Sequence, residues 1–271
     1  MKKICILSII FLLFSCTENN TKKNKIDTPK SNNIKVEKYD NSLKNNKNFI
    51  KWLLNTLTDN EKIKKLIKFQ ILDPDNITLE NSSVGLHLKK WQTSIKNGIR
   101  SEISIDYPYN QWDIISYEWS IFIPKDFISD APKNRFWIMW QWHDQPNKNK
   151  WEKWKTFPKN SPPIGLYYWL LNWKHSFSLE YLNIKPKIEN IIKITKWKWM
   201  KIKVNILWSQ KSDWYAHVYI NDEISPSVVN NGKNMLNNYQ HFFKVWLYRD
   251  KNINTNNSIY LRDININPIE K

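Results

Sequence analysis

The sequence predicts a two-sheet β-sandwich of the jelly-roll kind, with short helices at its N-terminal end. Three observations lead there. From residue 69 onward, apolar and aromatic residues alternate with polar ones in short runs, the period of a half-buried strand. Asn, Asp, Lys and Pro clusters separate the runs. Pro124, Pro132, Pro146, Pro158, Pro162, Pro163 and Pro226 all fall between them, where no ladder needs their missing N–H. No stretch has the strand–helix–strand rhythm that a parallel sheet requires.

In chain order, Phe49, Ile50, Leu53, Leu54 and Leu57, then Ile63, Leu66 and Ile67, stand at helical spacing. Asp59 and Glu61 mark a second start, so one or two short helices are expected between residues 49 and 69. Eleven strands follow: Ile77 to Glu80, Val84 to Leu88, Arg100 to Ile105, Ile114 to Ile123, Phe136 to Trp142, Gly165 to Leu171, Ser176 to Leu182, Met200 to Leu207, Trp214 to Ile220, Phe242 to Tyr248 and Ile259 to Ile266. In a two-sheet sandwich, one curved sheet can present a groove floored by alternate residues of several strands.

The 271 residues suit one main domain with extra segments before it. Only four glycines exclude collagen-like, glycine-rich and phosphate-loop designs. The net charge is +17, yet 38 of the 42 basic residues are Lys. A nucleic-acid reader spends more Arg on bidentate contacts, so no nucleic-acid partner is expected. Sixteen Trp is the informative excess.

Met1-Lys2-Lys3, the apolar run Ile4 to Phe14 and then Ser15-Cys16 read as an export signal too short to span a bilayer. Its end resembles the lipobox of bacterial lipoproteins, which would make Cys16 the lipid-bearing first residue of a membrane-anchored, exported protein. Residues 1–15 are then signal and 16–47, rich in Lys, Asn, Thr and Ser, a solvated tether. Residues 48–271 form the sandwich domain, which keeps a charge of +11 and holds no Cys; once Cys5 leaves with the signal, Cys16 has no partner for an internal disulfide. A monomer is expected.

Three segments carry chemistry: Arg100-Ser101-Glu102, Gln141-Trp142-His143, and Lys244-Val245-Trp246-Leu247-Tyr248-Arg249. Alternation puts Arg100 with Glu102, Gln141 with His143, and Lys244 with Trp246 and Tyr248 on shared faces. One face of one sheet can collect them all.

In this order the segments resemble the jelly-roll polysaccharide lyases: heparin lyase I, glucuronan lyase and their alginate lyase relatives. That family's pattern is Arg-(Ser/Thr)-Glu, Gln-x-His and Lys-x-Gly-x-Tyr, each on a strand. The likeness runs more loosely from 69 to 267, through Tyr117-Glu118-Trp119-Ser120 and residues 201–221. One departure is plain, since Trp246 stands where the family has Gly.

The resemblance implies a concanavalin A-like sandwich that cleaves an acidic, uronate-containing polysaccharide by β-elimination. Arg100 and Gln141 would neutralise the carboxylate beside the C5 proton. His143 and Tyr248 would move protons, one as base and one as acid. Lys244, Glu102, Arg249, Trp142 and Trp246 would line the substrate groove, with Trp151 and Trp173, and Trp154 beside them, offering surfaces on which pyranose rings stack. No cofactor is required. A structural Ca²⁺ is a further expectation from the resemblance, with Asp263 or Asp222 as its ligand. A second reading stays open, a non-catalytic carbohydrate-binding lipoprotein on the same sandwich, in which Arg100 and Lys244 only grip acidic glycans. A two-carboxylate hydrolase strand is not found.

Overall fold

A computed structural model describes residues 47–71, 73–94, 98–128, 137–158, 163–171, 174–181 and 191–270. The signal, Cys16, the tether up to residue 46 and Trp173 lie outside the described residues. Two helices open the fold, α1 (Lys47–Leu57) and α2 (Glu61–Lys64). Ile50, Leu53, Leu54 and Leu57 share one stripe of α1 and bury it against the sandwich. Asn60 caps α2, its Oδ1 accepting from the N–H groups of Lys62 and Ile63 at 2.9 and 3.3 Å.

Fourteen strands follow among the described residues: β1 (Ile67–Ile71), β2 (Ile77–Glu80), β3 (Ser83–Leu88), β4 (Gly98–Ile105), β5 (Ile114–Phe122), β6 (Trp137–His143), β7 (Ile164–Leu171), β8 (Lys174–Tyr181), β9 (Ile191–Lys193), β10 (Trp199–Leu207), β11 (Trp214–Ile220), β12 (Val228–Gly232), β13 (Phe242–Asp250) and β14 (Asn257–Ile269). They form two seven-stranded sheets. One has the order β1-β4-β13-β6-β7-β8-β9, the other β12-β11-β10-β5-β14-β3-β2. The second sheet shows clean alternation: in β10 and β11 every other side chain is buried and the rest are partly or fully exposed.

The first sheet departs from that pattern at its centre. β6 is buried along its whole length, and β13 everywhere but its two ends. On their inner faces the cause is an aromatic core. Trp119 of β5 lies 5.0 Å from Trp140 of β6 and 5.4 Å from Phe243 of β13, and Tyr117 lies 5.2 Å from Trp142, all between ring centroids. These contacts bridge the two sheets, so β6 and β13 are clamped from below. The outer faces of the same strands carry Gln141, His143, Lys244 and Tyr248, also buried.

Several sequence expectations are corrected. Helical spacing predicts helix up to residue 69, but Ile67, Phe69 and Ile71 alternate with Lys68 and Gln70 and pair with β4. Strands β9 and β12 were not expected: one has three residues, the other reads Val-Val-Asn-Asn-Gly, and both lie at sheet edges where the pattern is weak. Trp142 points into the core, as it must once Gln141 and His143 point out. Arg249 is likewise on the inner face and fully buried, one residue beyond Tyr248. Its guanidinium donates to Thr255 Oγ1, Asn257 Oδ1 and the Lys89 carbonyl at 3.1, 2.5 and 3.0 Å and lies over Trp137.

The residues do not fit the expected Ca²⁺ either. Asp263 accepts from Ser120 Oγ and pairs with Arg262 at 3.2 Å, and Asp222 pairs with Lys201 at 2.6 Å. The described residues hold no group of three or more His, Cys, Asp or Glu side chains that could hold a metal ion, whereas Ca²⁺ takes six to eight oxygens.

Because Arg249 is fully buried and ties Thr255, Asn257 and the Lys89 carbonyl together, Arg249→Ala should cost roughly 3 kcal/mol, the scale of breaking a buried hydrogen-bond network and leaving its space empty. Urea unfolding measures it. A loss below about 0.5 kcal/mol would instead match a solvent-facing Arg.

Candidate functional site

Register places the site on the outer face of the first sheet. Tyr248 of β13 is paired with Arg100 of β4, Trp246 with Glu102, and Lys244 with Ser104. On the other side of β13, Lys244 is paired with Gln141 and Phe242 with His143 of β6. Directly opposed residues share a face, so three segments separated by long stretches of chain converge. Irregular pairing between β13 and β6, at Val245 to Tyr248, puts both Trp137 and Trp140 on the core side while Ile138 joins Trp246 and Tyr248 outside.

The charged half of the site is organised by Glu102, which is fully buried. Lys244 Nζ lies 2.6 Å from its Oε1 and Arg100 Nη1 3.6 Å from its Oε2. Both cations also lie over the Trp246 indole, Lys244 at 5.0 Å and Arg100 at 5.6 Å from the ring centroid, and Arg100 lies 4.9 Å from the Tyr248 ring. Trp246 is therefore a platform beneath two cations and is itself fully buried. Gly98 explains the seat of Tyr248: a Cβ there would come within 2.0 Å of the Tyr248 ring, which folds back over the glycine.

The other half is held by β6. Nδ1 of His143 lies 2.7 Å from the Asp144 carbonyl oxygen and 3.1 Å from Asp144 Oδ1. The carbonyl only accepts, and so does the carboxylate when ionised, so Nδ1 carries the proton and Nε2 is left as the basic nitrogen. The imidazole is stacked on Phe242 at 5.2 Å and edged by Trp154 at 6.2 Å. Beside it, Gln141 is almost wholly buried, and both Oε1 and Nε2 lack a hydrogen-bond partner among the described residues. A buried, unsatisfied amide is costly, about 1–3 kcal/mol per group, and here it faces the groove.

The structure thus brings Arg100, Glu102, Gln141, His143, Lys244, Trp246 and Tyr248 to one face. Glu102 and Trp246 sit below it as positioning groups, and Arg249 and Trp142 lie on the opposite face. Trp151 is 87% exposed, on the turn after Lys148–Lys150. Buried His241, bonded to the Tyr109 hydroxyl through Nδ1 at 2.5 Å, is held down to about 3 by burial.

Three residues on or beside this face escaped the sequence reading. Asp144 was signalled only by its place next to His143. Tyr167 of β7 folds over Gly165, where a Cβ would come within 2.7 Å of its ring. Glu180 of β8 is paired with Gly165, which is paired with Gln141. Burial pushes the Glu180 carboxyl from 4.5 up to about 8, partly offset by the Ser178 hydroxyl.

The folded state therefore keeps a proton on Glu180 that the unfolded chain releases between about pH 4.5 and 8, so stability falls as pH rises through that window. Each pH unit there is worth at most about 1.4 kcal/mol. Glu180→Gln should melt progressively higher relative to the parent as pH rises from 4.5 to 8. A pH-independent difference in thermal melts would contradict the assignment.

No curated protein sequence matches the chain. Among solved structures, an endo-β-1,4-glucuronan lyase from the fungus Trichoderma reesei superposes with a TM-score of 0.50 at 10% identity, over 78% of this chain and 89% of that one. Alginate lyase Aly36B gives 0.50 at 11%, over 75% and 88%, and alginate lyase AlyC3 gives 0.51 at 9%, over 72% and 79%. At such identities the likeness is one of fold. The sequence model of the polysaccharide lyase family matches residues 61–265, from α2 to β14, three quarters of the chain and every segment of the site, so the chain belongs to the polysaccharide lyase family.

Proposed function

We propose that this lyase cleaves a uronate-containing acidic polysaccharide by β-elimination on the outer face of β4, β13 and β6. The observation that carries the reading is the buried Gln141 amide, which has no hydrogen-bond partner among the described residues and is set between the Lys244–Glu102–Arg100 cluster and a histidine with a basic Nε2. β-Elimination has to make the C5 proton of a uronate acidic enough to leave. The Gln141 amide N–H, with the positive field of Arg100 and Lys244, stabilises the charge that develops on the carboxylate. His143 Nε2 and the Tyr248 hydroxyl are the proton-transfer groups, one removing the C5 proton and the other protonating the departing O4. Asp144 holds the imidazole in the tautomer this requires. The glycan-only reading has no use for the Asp144-fixed tautomer.

The substrate named for the glucuronan lyase and for the alginate lyases is a uronate polymer in each case, which suits this site's charge. Incubation with glucuronan, alginate, heparin and heparan sulfate, followed by ultraviolet absorbance of the unsaturated uronate, tests the proposal. Tyr248→Phe and His143→Ala should each lower turnover by about 10²-fold or more while glycan binding changes little, the signature of a lost proton-transfer group. Full elimination by Tyr248→Phe would remove the tyrosine from the mechanism.

We also infer that the enzyme is an exported, lipid-anchored protein, on the strength of the Leu13-Phe14-Ser15-Cys16 segment and the polar stretch after it. Clickable fatty-acid labelling of the full chain should be lost in Cys16→Ser, with the protein released from the membrane fraction. Unchanged labelling would contradict the anchor.

A further inference from the structure

The groove face continues beyond Gln141, and nothing in the elimination chemistry uses what lies there. One row of paired residues crosses the sheet: Ser104, Lys244, Gln141, Gly165 and Glu180, from β4 through β13, β6 and β7 to β8. Gln141 and Glu180 are two strands apart, about 10 Å at the usual interstrand spacing, with no side chain rising between them from Gly165. Instead the Tyr167 ring lies over Gly165, half-buried, and stacks toward Trp169 at 6.4 Å. The interval between the two side chains is thus floored by an aromatic ring, the kind of surface on which the apolar face of a sugar ring packs.

Both walls have polar atoms awaiting a partner. Gln141 Oε1 and Nε2, and Glu180 Oε1, are buried without a hydrogen-bond partner among the described residues. Glu180 as a whole is 9% exposed. Two unsatisfied side chains facing each other across a glycine are explained together by a ligand that fills the interval.

We propose that Gln141, Tyr167 and Glu180 form a saccharide subsite next to the reacting centre, in which the Glu180 carboxyl donates a hydrogen bond to a carboxylate oxygen of the uronate chain. The inference rests on the uronate reading above and extends it. A protonated acid recognises a carboxylate without adding a like charge beside it, and its desolvated setting keeps it protonated at neutral pH. Once ionised, the same group repels the glycan. The charged and titratable groups nearest it on this face are Lys174 on its own strand, Tyr167 on β7, Lys193 on β9 and His143 on β6, with Lys244 on β13 and Arg100, Glu102 and Tyr248 farther along it; the parent and its Glu180→Gln derivative below do not differ in any of them. Glu180 thus makes glycan affinity depend on pH near 8, on the side of the groove away from Arg100 and Lys244.

The test uses full-length protein carrying Tyr248→Phe, which suppresses turnover of the probes, with alginate and glucuronan hexasaccharides in calorimetric titrations at pH 6.5 and 9. The parent should lose about tenfold in affinity for at least one probe between the two pH values. With Glu180→Gln added, affinity at pH 6.5 should stay within about threefold of the parent, and the drop to pH 9 should shrink to threefold or less. Tyr167→Ala should weaken binding about tenfold at both. Equal pH dependence with and without Glu180→Gln overturns the role of Glu180, unchanged affinity in Tyr167→Ala overturns the subsite, and a parent that binds neither probe overturns both. Absence of unsaturated product from the unmutated enzyme would overturn the lyase chemistry alone, because these titrations require no turnover.

Discussion

The buried Glu102 carboxylate holds the active face together. A carboxylate with no exposure is tolerable only with cations against it, and Lys244 and Arg100 are those cations. Its demand fixes both long side chains above Trp246, where they would otherwise spread into solvent. As a contribution to stability such a cluster is a poor bargain, because replacing buried ions by apolar residues is often neutral or better. Its use is positional: it presents positive charge at one defined place beside Tyr248 and Gln141.

That arrangement is possible because the same two strands are anchored from the other side. Trp140 and Trp142 alternate with Gln141 and His143, and Phe243 and Val245 with Lys244 and Trp246, so every groove residue on β6 and β13 has an inner neighbour locked into the inter-sheet core. The groove floor is rigid by the same pattern that makes it polar. Two glycines complete it, each leaving room for a tyrosine ring to lie over the sheet, Tyr248 on the cationic side and Tyr167 on the side of Glu180. Polarity then changes across the face, from two cations, through an unsatisfied amide, to a protonated acid.

Much of this was legible in the chain. Period-two alternation located eleven of the fourteen strands and grouped Arg100 with Glu102, Gln141 with His143, and Lys244 with Trp246 and Tyr248, since neighbours two apart share a face whatever the fold. The same rule, applied one residue further, puts Arg249 and Trp142 on the inner face; a charged residue adjoining a site in sequence is not thereby in it. Trp246 looked like a groove wall, and only its two cations show it to be a floor. Glu180 carried no signal, because its burial and its place opposite Gly165 and Gln141 come from pairings among β6, β7 and β8 that no local pattern reveals. Strands β9 and β12 were missed for a simpler reason, their edge position and short or polar sequences.

Elimination at this site requires a uronate lying across β4, β13 and β6 with its carboxylate at Gln141. The most direct measurement is a crystal structure of the Tyr248→Phe protein with a bound uronate oligosaccharide. It should show a sugar carboxylate hydrogen-bonded to Gln141 Nε2, Arg100 or Lys244 on the same side, and C5 within reach of His143 Nε2. A glycan bound elsewhere, with the Gln141 amide still without a partner, would contradict it.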